Sequence, residues 1–166
     1  LMTMLRQGSI DLFVGALAIE RPPEDVVATI IREERLSVIC GPKHPLAKSR
    51  KLNPNQLEKY PWLLTPVDTE LRRQADAAFM ALGLSNVEVA IETVAMSALV
   101  PILTQGDYLS IHSKFLLAPD IKAGKLAALP EPLPGAGRSL AVFHRPVSEL
   151  TPLTQSFIDH LLDFVK

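Results

Sequence analysis

The sequence has little of what marks secreted and membrane proteins. Its one cysteine, Cys40, cannot form an internal disulfide, and no signal-peptide pattern is visible. Both observations favour a reducing compartment, so we expect a cytoplasmic protein. No stretch of about 20 uninterrupted apolar residues occurs either, so we expect no membrane-spanning helix and no membrane partner.

An excess of charge of one sign is also missing. Lys and Arg together number 17, Asp and Glu together number 18, and the net charge is -1. A domain that binds duplex DNA normally carries a concentrated basic face, because its cations displace the counterions of the phosphates. We therefore expect no direct contact between this chain and nucleic acid. Its 166 residues, 48% of them hydrophobic, indicate an ordinary folded protein of one domain or two small lobes.

Catalytic and metal-binding signatures are absent as well. The chain has no G-x-S-x-G, H-E-x-x-H, C-x-x-C or G-x-x-x-x-G-K-[ST] motif. "GAG" at 135–137 lacks the third glycine of a dinucleotide fingerprint, and Cys40 ends an apolar run as buried cysteines do. A metal site would have to be assembled from distant histidines: His44, His112, His144 and His160. We expect no metal, no cofactor and no enzyme activity.

What the sequence does contain is an alternation of strands and helices. An apolar run, 10–17, predicts a buried strand after a glycine stop. Two β-branched runs, 26–31 and 36–40, flank a charge cluster at 32–35 that we expect to be solvated. Further strands are predicted at 62–65, 87–93, 108–113 and 139–144. The alternation argues for α/β layers with mostly parallel strands.

The predicted helices carry recognisable start and stop residues. Asn53 is a predicted N-cap with proline at the first helical position, and the clearest helix, 71–82, is followed by a glycine stop. The next helix contains Pro101, which should kink it or delay its start. The Pro- and Gly-rich stretch 129–137 predicts a loop, and an amphipathic helix over 153–165 closes the chain.

Two junctions between a strand and a helix have the same chemistry. Thr65 and Thr93 each end a predicted strand directly before a helix. The first N–H groups of a helix have no partners within it and carry partial positive charge, so such junctions hold anions readily. Arg72, near the start of the first of these helices, could add a charged donor to a carboxylate. The alternative is that both threonines only cap their own helices and that Arg72 is solvated.

With these elements in order, the chain resembles the effector-binding domain of LysR-type transcriptional regulators. Four stretches carry the resemblance: "LRQGSIDLFVGAL", "EERLSVICGPKHPLA", "YPWLLTPVDTELRRQADAAFMALGL" and "VEVAIETVAMSALVPILTQGDYLSIHS". The third stretch, and "HPLA" after an extended strand, are the most specific parts. We expect a piece truncated at its amino terminus, which lacks a winged helix-turn-helix and roughly 40 residues of the effector domain.

The fold that the resemblance implies is α/β, similar to type II periplasmic binding proteins, with two lobes joined by two crossover strands and an incomplete first lobe. Lobe I would comprise residues 1–37 plus 142–166, and lobe II residues 38–141. The family holds a small effector, often a carboxylate, between the lobes. Most of the predicted ligand-binding residues follow from the resemblance: Gly15, Ala16, Thr65, Pro66, Thr69 and Arg72. The helix-terminus argument adds Thr93, Met96 and Ser97.

The function that the resemblance implies is regulatory. A small effector would shift the two lobes, and a DNA-binding domain outside this chain would receive the signal. Family members form homodimers or homotetramers, commonly with lobe I of one chain against lobe II of the other. Three alternatives stay open: a solute-binding protein of a transporter, an enzyme on this fold, and an effector domain that serves only oligomerisation.

Overall fold

The computed structural model describes residues 1–17 and 22–164, except the side chains of residues 131 and 132. The described strands are β1 (Leu12–Ala16), β2 (Val27–Cys40), β3 (Trp62–Leu64), β4 (Val89–Glu92), β5 (Leu109–Ser113) and β6 (Ala127–His144). The described helices are α1 (Met2–Arg6), α2 (Pro54–Leu57), α3 (Glu70–Ala81), α4 (Met96–Gln105), α5 (Ala118–Lys122) and α6 (Pro152–Phe164), with a 3-10 turn at Val147–Glu149.

The chain divides into two compact units. Unit 1 comprises Leu1–Glu34 and Arg138–Lys166, and unit 2 comprises Arg35–Gly137. Both boundaries fall inside long strands, β2 and β6. The lobe boundaries expected from the sequence lie three residues later in β2 and four residues later in β6.

Unit 1 is held by an antiparallel strand pair and a small apolar core. Leu12 pairs with His144 and Ala16 with Leu140 along β1 and β6, and the rings of Phe13 and Phe143 stack with 4.6 Å between their centroids. Leu5 of α1 is fully buried in the same core. β1 itself is only half-buried, so the prediction of a buried strand over 10–17 was right about the strand and wrong about its burial.

Unit 2 is built on a mixed sheet. β3 pairs in parallel with both β4 and β5, whereas β2 pairs antiparallel with β5, from Leu36 opposite Ser113 to Cys40 opposite Leu109. The expectation of mostly parallel strands therefore holds for β3, β4 and β5 and not for β1 or β2. Trp62 and Phe79 meet edge to face at 4.8 Å in the main core of this unit.

The helix signals in unit 2 are confirmed. The side chain of Asn53 accepts a hydrogen bond from Asn55 N at 3.1 Å, which caps α2. α3 buries its apolar stripe at Ala75, Ala78 and Phe79 and is followed by Gly83, whose φ of 71° lies in the left-handed region that favours glycine. α4 begins at Met96 with Pro101 inside it, so this proline does not delay its start.

The stretch 129–137, predicted to be a loop, is part of the 18-residue strand β6. Prolines occupy alternate positions of this stretch, 130, 132 and 134. Successive residues of a strand direct their backbone N–H and C=O groups to opposite sides. The three prolines, which have no N–H group, therefore all face the same side of the strand. The residues that face the other side keep their backbone N–H donors, which is why a Pro-rich segment can remain extended.

The charge cluster 32–35 is also part of a strand, since β2 runs through it without interruption. Glu34 is not solvated as predicted. Its side chain is 2% exposed and forms an ion pair with Arg138, whose Nε lies 2.9 Å from its Oε2. Glu33, next to it, accepts a hydrogen bond from the hydroxyl of Ser139. Polar contacts between sequence-distant residues of unit 1 thus explain why acidic residues are tolerated within a strand.

Candidate functional site

The two junctions singled out in the sequence lie next to each other at one edge of the unit 2 sheet. β3 and β4 are parallel neighbours, so their carboxyl ends, Leu64 and Glu92, reach the same edge. The N–H of Thr93 donates to the carbonyl of Leu64 at 2.9 Å, which joins the two chain segments where the strands stop. A small cleft here is lined by Leu63, Leu64, Thr65, Thr93, Val94, Ala95, Met96, Leu99 and His112.

The first junction is closed by its own side chains. Thr69, not Thr65, is the N-cap of α3, and its Oγ1 accepts a hydrogen bond from Arg72 N at 3.2 Å. The same hydroxyl donates to the carbonyl of Pro66 at 2.8 Å. Thr65 Oγ1 lies 2.6 Å from Thr69 Oγ1, so Thr65 supports the cap from the strand side. The alternative that Thr65 itself caps the helix is wrong.

The second junction is more open. The N-cap of α4 is Ala95, which has no side chain able to accept a hydrogen bond from the first turn. Thr93 Oγ1 accepts from Ala95 N at 3.0 Å, one residue before the helix begins, so it shapes the turn rather than capping α4. Val94 and Met96 are exposed on either side of it. The first turn of α4 therefore lacks the side-chain cap that α3 has.

Arg72 lies between the two junctions and is already bound to carboxylates. Its Nη1 donates to Glu92 Oε1 at 2.6 Å and to the carbonyl of Thr65 at 3.2 Å, and its Nε donates to Asp76 at 3.0 Å. Burial lowers the pKa of Arg72, but the hydrogen bonds and charges of Glu92 and Asp76 outweigh it and raise the pKa above its usual value. The guanidinium is therefore charged and its side chain is 12% exposed.

The other predicted site residues are divided between the two units. Pro66 and the first two residues of α4, Met96 and Ser97, lie at the same edge of unit 2 as the junctions. Gly15 and Ala16 lie in unit 1 at the end of β1, opposite Ala141 and Leu140 of β6. Whether any of these residues contacts a ligand stays a prediction.

Two residues at this edge were missed by the sequence analysis. His112, which is buried, lines the cleft from β5, and Glu92 binds Arg72. β5 is parallel to β3, so its end reaches the same edge as Thr65. Both residues come at or near the end of a predicted strand, and a search of all strand ends, rather than only those followed by threonine, would have found them.

A buried histidine marks the opposite edge of this sheet. His44 follows β2 and is buried, and its Nδ1 accepts a hydrogen bond from Leu46 N at 3.0 Å. Burial lowers the pKa of His44 and raises the pKa of the Cys40 thiol to about 11. Among residues 1–17 and 22–164, no group of three His, Cys, Asp or Glu side chains is arranged to hold a metal ion.

No helix within the described part of the chain is both long enough and apolar enough to cross a membrane.

Comparison with known proteins decides the family. A family model described as the LysR substrate binding domain matches residues 1–166. The chain belongs to this family. Its fold is accordingly that of LysR regulatory domains, which are similar to type II periplasmic binding proteins.

A curated relative of this LysR substrate-binding domain is the HTH-type transcriptional regulator GalR of Pseudomonas putida. The two are 29% identical over 145 residues, which cover 87% of this chain and 36% of that regulator. The chain thus spans about a third of this relative's length.

Two solved structures have the same fold as this LysR domain. The regulatory domain of CcmR from Synechocystis, in complex with 2-PG, matches with a TM-score of 0.78 and 21% identity, over 99% of this chain and 77% of that one. The effector-binding domain of QuiR, in complex with shikimate, matches with a TM-score of 0.77 and 18% identity, over 98% of this chain and 75% of that one.

Proposed function

We propose that the chain senses a small metabolite for a transcription factor and that the ligand binds at the edge where β3 and β4 end. The observation that carries the proposal is the cleft between Thr65 and Thr93. At this cleft the first turn of α4 lacks a side-chain cap, and hydroxyl groups from two strand ends converge. In α/β sheets, ligands collect at the carboxyl ends of strands.

The remaining ligand contacts and the effect of the ligand on DNA binding are proposed from the family. Gly15 and Ala16 are proposed as ligand contacts contributed by unit 1. The protein is proposed to be cytoplasmic and to have no enzyme activity. Its ligand would change the affinity of a separate helix-turn-helix domain for DNA, by binding one conformation of the sensor better than the other. The name of the curated regulator GalR supports this assignment over a transporter's solute-binding protein.

We also propose a homodimer or homotetramer. α6 exposes Leu153, Phe157 and Phe164 in unit 1, and α3 exposes Met80 in unit 2. Apolar helix faces of this kind are typical of subunit interfaces. Pairing of unit 1 of one chain with unit 2 of another would cover both faces. Sedimentation equilibrium of the full-length protein and of its Phe157→Asp variant tests this: a wild type that is monomeric at micromolar concentration contradicts it.

Ligand-dependent thermal stability tests the sensing function. A metabolite that binds the folded protein raises its melting temperature progressively with concentration. Thr65→Ala removes one hydroxyl from the cleft, and we expect it to weaken a binding ligand about three- to tenfold, the range for one hydrogen bond. Thr104→Ala is the matched control, because its hydroxyl bonds only to the carbonyls of Val100 and Pro101 within α4.

The outcomes separate the competing functions. A ligand whose affinity falls in Thr65→Ala and not in Thr104→Ala supports sensing at this edge. If no compound of a broad metabolite panel changes the melting of the full-length product of the gene, the sensing role fails and a domain that serves only oligomerisation is the better description.

A further inference from the structure

The Thr65 hydroxyl is already hydrogen-bonded within the protein. Thr69 Oγ1 has one proton, and it donates that proton to the carbonyl of Pro66 at 2.8 Å. Either hydroxyl can be the donor in the 2.6 Å contact between the two threonines, and while Thr69 donates to Pro66 the donor is Thr65. In that arrangement Thr65 Oγ1 offers lone pairs to a ligand. A ligand hydroxyl can donate to them, whereas a carboxylate oxygen has no proton to give and would be repelled.

The charge of Arg72 is likewise balanced within the protein. Glu92 approaches its Nη1 to 2.6 Å, and Asp76 approaches its Nε to 3.0 Å. A ligand carboxylate near this guanidinium would also lie near both acids. Like charges at such distances offset the attraction of the single cation. Arg72 is therefore poorly prepared to hold a further anion while Glu92 remains in place.

The cleft itself carries no ionic side chain among its lining residues. Beside the hydroxyls of Thr65 and Thr93 and the imidazole of His112, its lining is aliphatic or backbone. The N–H groups of the first turn of α4 can donate to any oxygen with lone pairs, and a hydroxyl or carbonyl oxygen serves them as a carboxylate would. Donors and acceptors thus meet on an apolar surface.

Resting on the proposed function, we infer that the ligand group held at this cleft is an uncharged hydroxyl on an apolar body, and that Glu92 selects it over a carboxylate by neutralising Arg72. The family resemblance implied a carboxylate, but the two acids bound to Arg72 and the absence of ionic side chains from the cleft lining point to a hydroxyl. Glu92 acts through Arg72 and is a specificity residue rather than a ligand contact.

Matched probes in the full-length protein test the inference. Each scaffold is offered with a hydroxymethyl group and with a carboxylate: benzyl alcohol against benzoate, and cyclohexylmethanol against cyclohexanecarboxylate. Thermal shifts measured over a concentration series give the preference of the wild type, which we expect to favour the hydroxyl form of each pair. The wild-type measurement decides the matter even if a variant fails to fold.

Glu92→Gln should reverse the preference. This substitution keeps an oxygen that can accept from Arg72 but removes one of the two negative charges beside it, so we expect the carboxylate probes to gain about tenfold or more in affinity, the range for a hydrogen bond to a charged group. Asp76→Asn removes the other negative charge and should give a smaller gain. Glu88→Gln is the matched control, since Glu88 is exposed at the opposite end of β4.

Each result has a distinct meaning. If carboxylates stabilise the wild type as strongly as their hydroxyl partners, or lose affinity in Glu92→Gln, the inference is overturned and the proposed function stands. If neither these probes nor the broad metabolite panel changes melting, the proposed function fails and the inference fails with it. An equal gain in Glu88→Gln would show a general charge effect and would also overturn the role of Glu92.

Discussion

The two edges of the unit 2 sheet differ in the burial of the residues that follow their strands. Where β3 and β4 end, Val67 and Val94 are 67% and 68% exposed, and α4 starts without a side-chain cap. At the other edge, Gly41 is buried against the last turn of α4 and His44 is 4% exposed. We call the edge where Gly41 and His44 are buried the packed edge, and the edge where Val67 and Val94 are exposed the open edge. We therefore expect the largest changes in folding stability from substitutions at the packed edge, and changes in ligand binding from substitutions at the open edge.

The largest effect is expected at the packed edge. A Cβ added at Gly41 would overlap the carbonyl oxygen of Leu103, which is backbone and cannot turn aside. Gly41→Ala should reduce the free energy of unfolding by about 3 kcal/mol, since overpacking forces backbone shifts. Urea unfolding measures this. Gly15→Ala is the control, because its Cβ would meet only Phe13 at ordinary contact distance, and a loss there as large as at Gly41 would refute the steric explanation.

A smaller effect is expected from uncapping α3 at the open edge. Thr69→Ala removes the acceptor for Arg72 N and the bonds to Pro66 and Thr65. We expect a loss of about 1 to 2 kcal/mol, as for other N-cap threonines. Thr93→Ala removes only the bond to Ala95 N and should cost less in the same urea titration. Equal losses would show that the two junctions do not differ in the way described.

The smallest effect is expected for the pH dependence of the unfolding free energy, which we attribute to His44 at the packed edge. Burial lowers the pKa of His44, and the carboxylate and backbone of Asp107 counter this only in part. Below about pH 6.5 the unfolded chain takes up a proton that the folded protein refuses, so stability falls as the pH falls through this value. The unfolding free energy at pH 7.5 and pH 5.5 measures it. His44→Gln should show a smaller difference between these two conditions than the wild type, and an unchanged difference would assign the acid sensitivity to other groups.

Elements with local signals were the predictable part of this protein. Asn53 before Pro54, and Gly83 after an apolar stripe, define helix ends through contacts a few residues apart. The stretch 129–137 was predicted wrongly because proline usually indicates a turn. Proline is tolerated in a strand only where one side of the strand needs no N–H donors, and strand pairing in the folded protein determines whether that is so. Glu34 was predicted to be solvated because its partner, Arg138, is 104 residues away in sequence.

The candidate site also combines residues that local sequence indicates with residues that only the folded sheet brings together. Thr65 and Arg72 were singled out because a strand end followed by a helix start is readable in the sequence, and Thr69 because the family resemblance implied it. Glu92 was missed because its ion pair joins residues 20 apart whose strands become neighbours only in the sheet. His112 was missed for the same reason, since β5 joins this edge through its parallel pairing with β3.

The sequence by itself determined the family, the order of strands and helices, and the place of both junctions, because these depend on residue types and on spacings along the chain. The tertiary structure decided which threonine caps a helix and which carboxylates bind Arg72. Those properties depend on distances and hydrogen-bond directions between segments, and local sequence does not specify them.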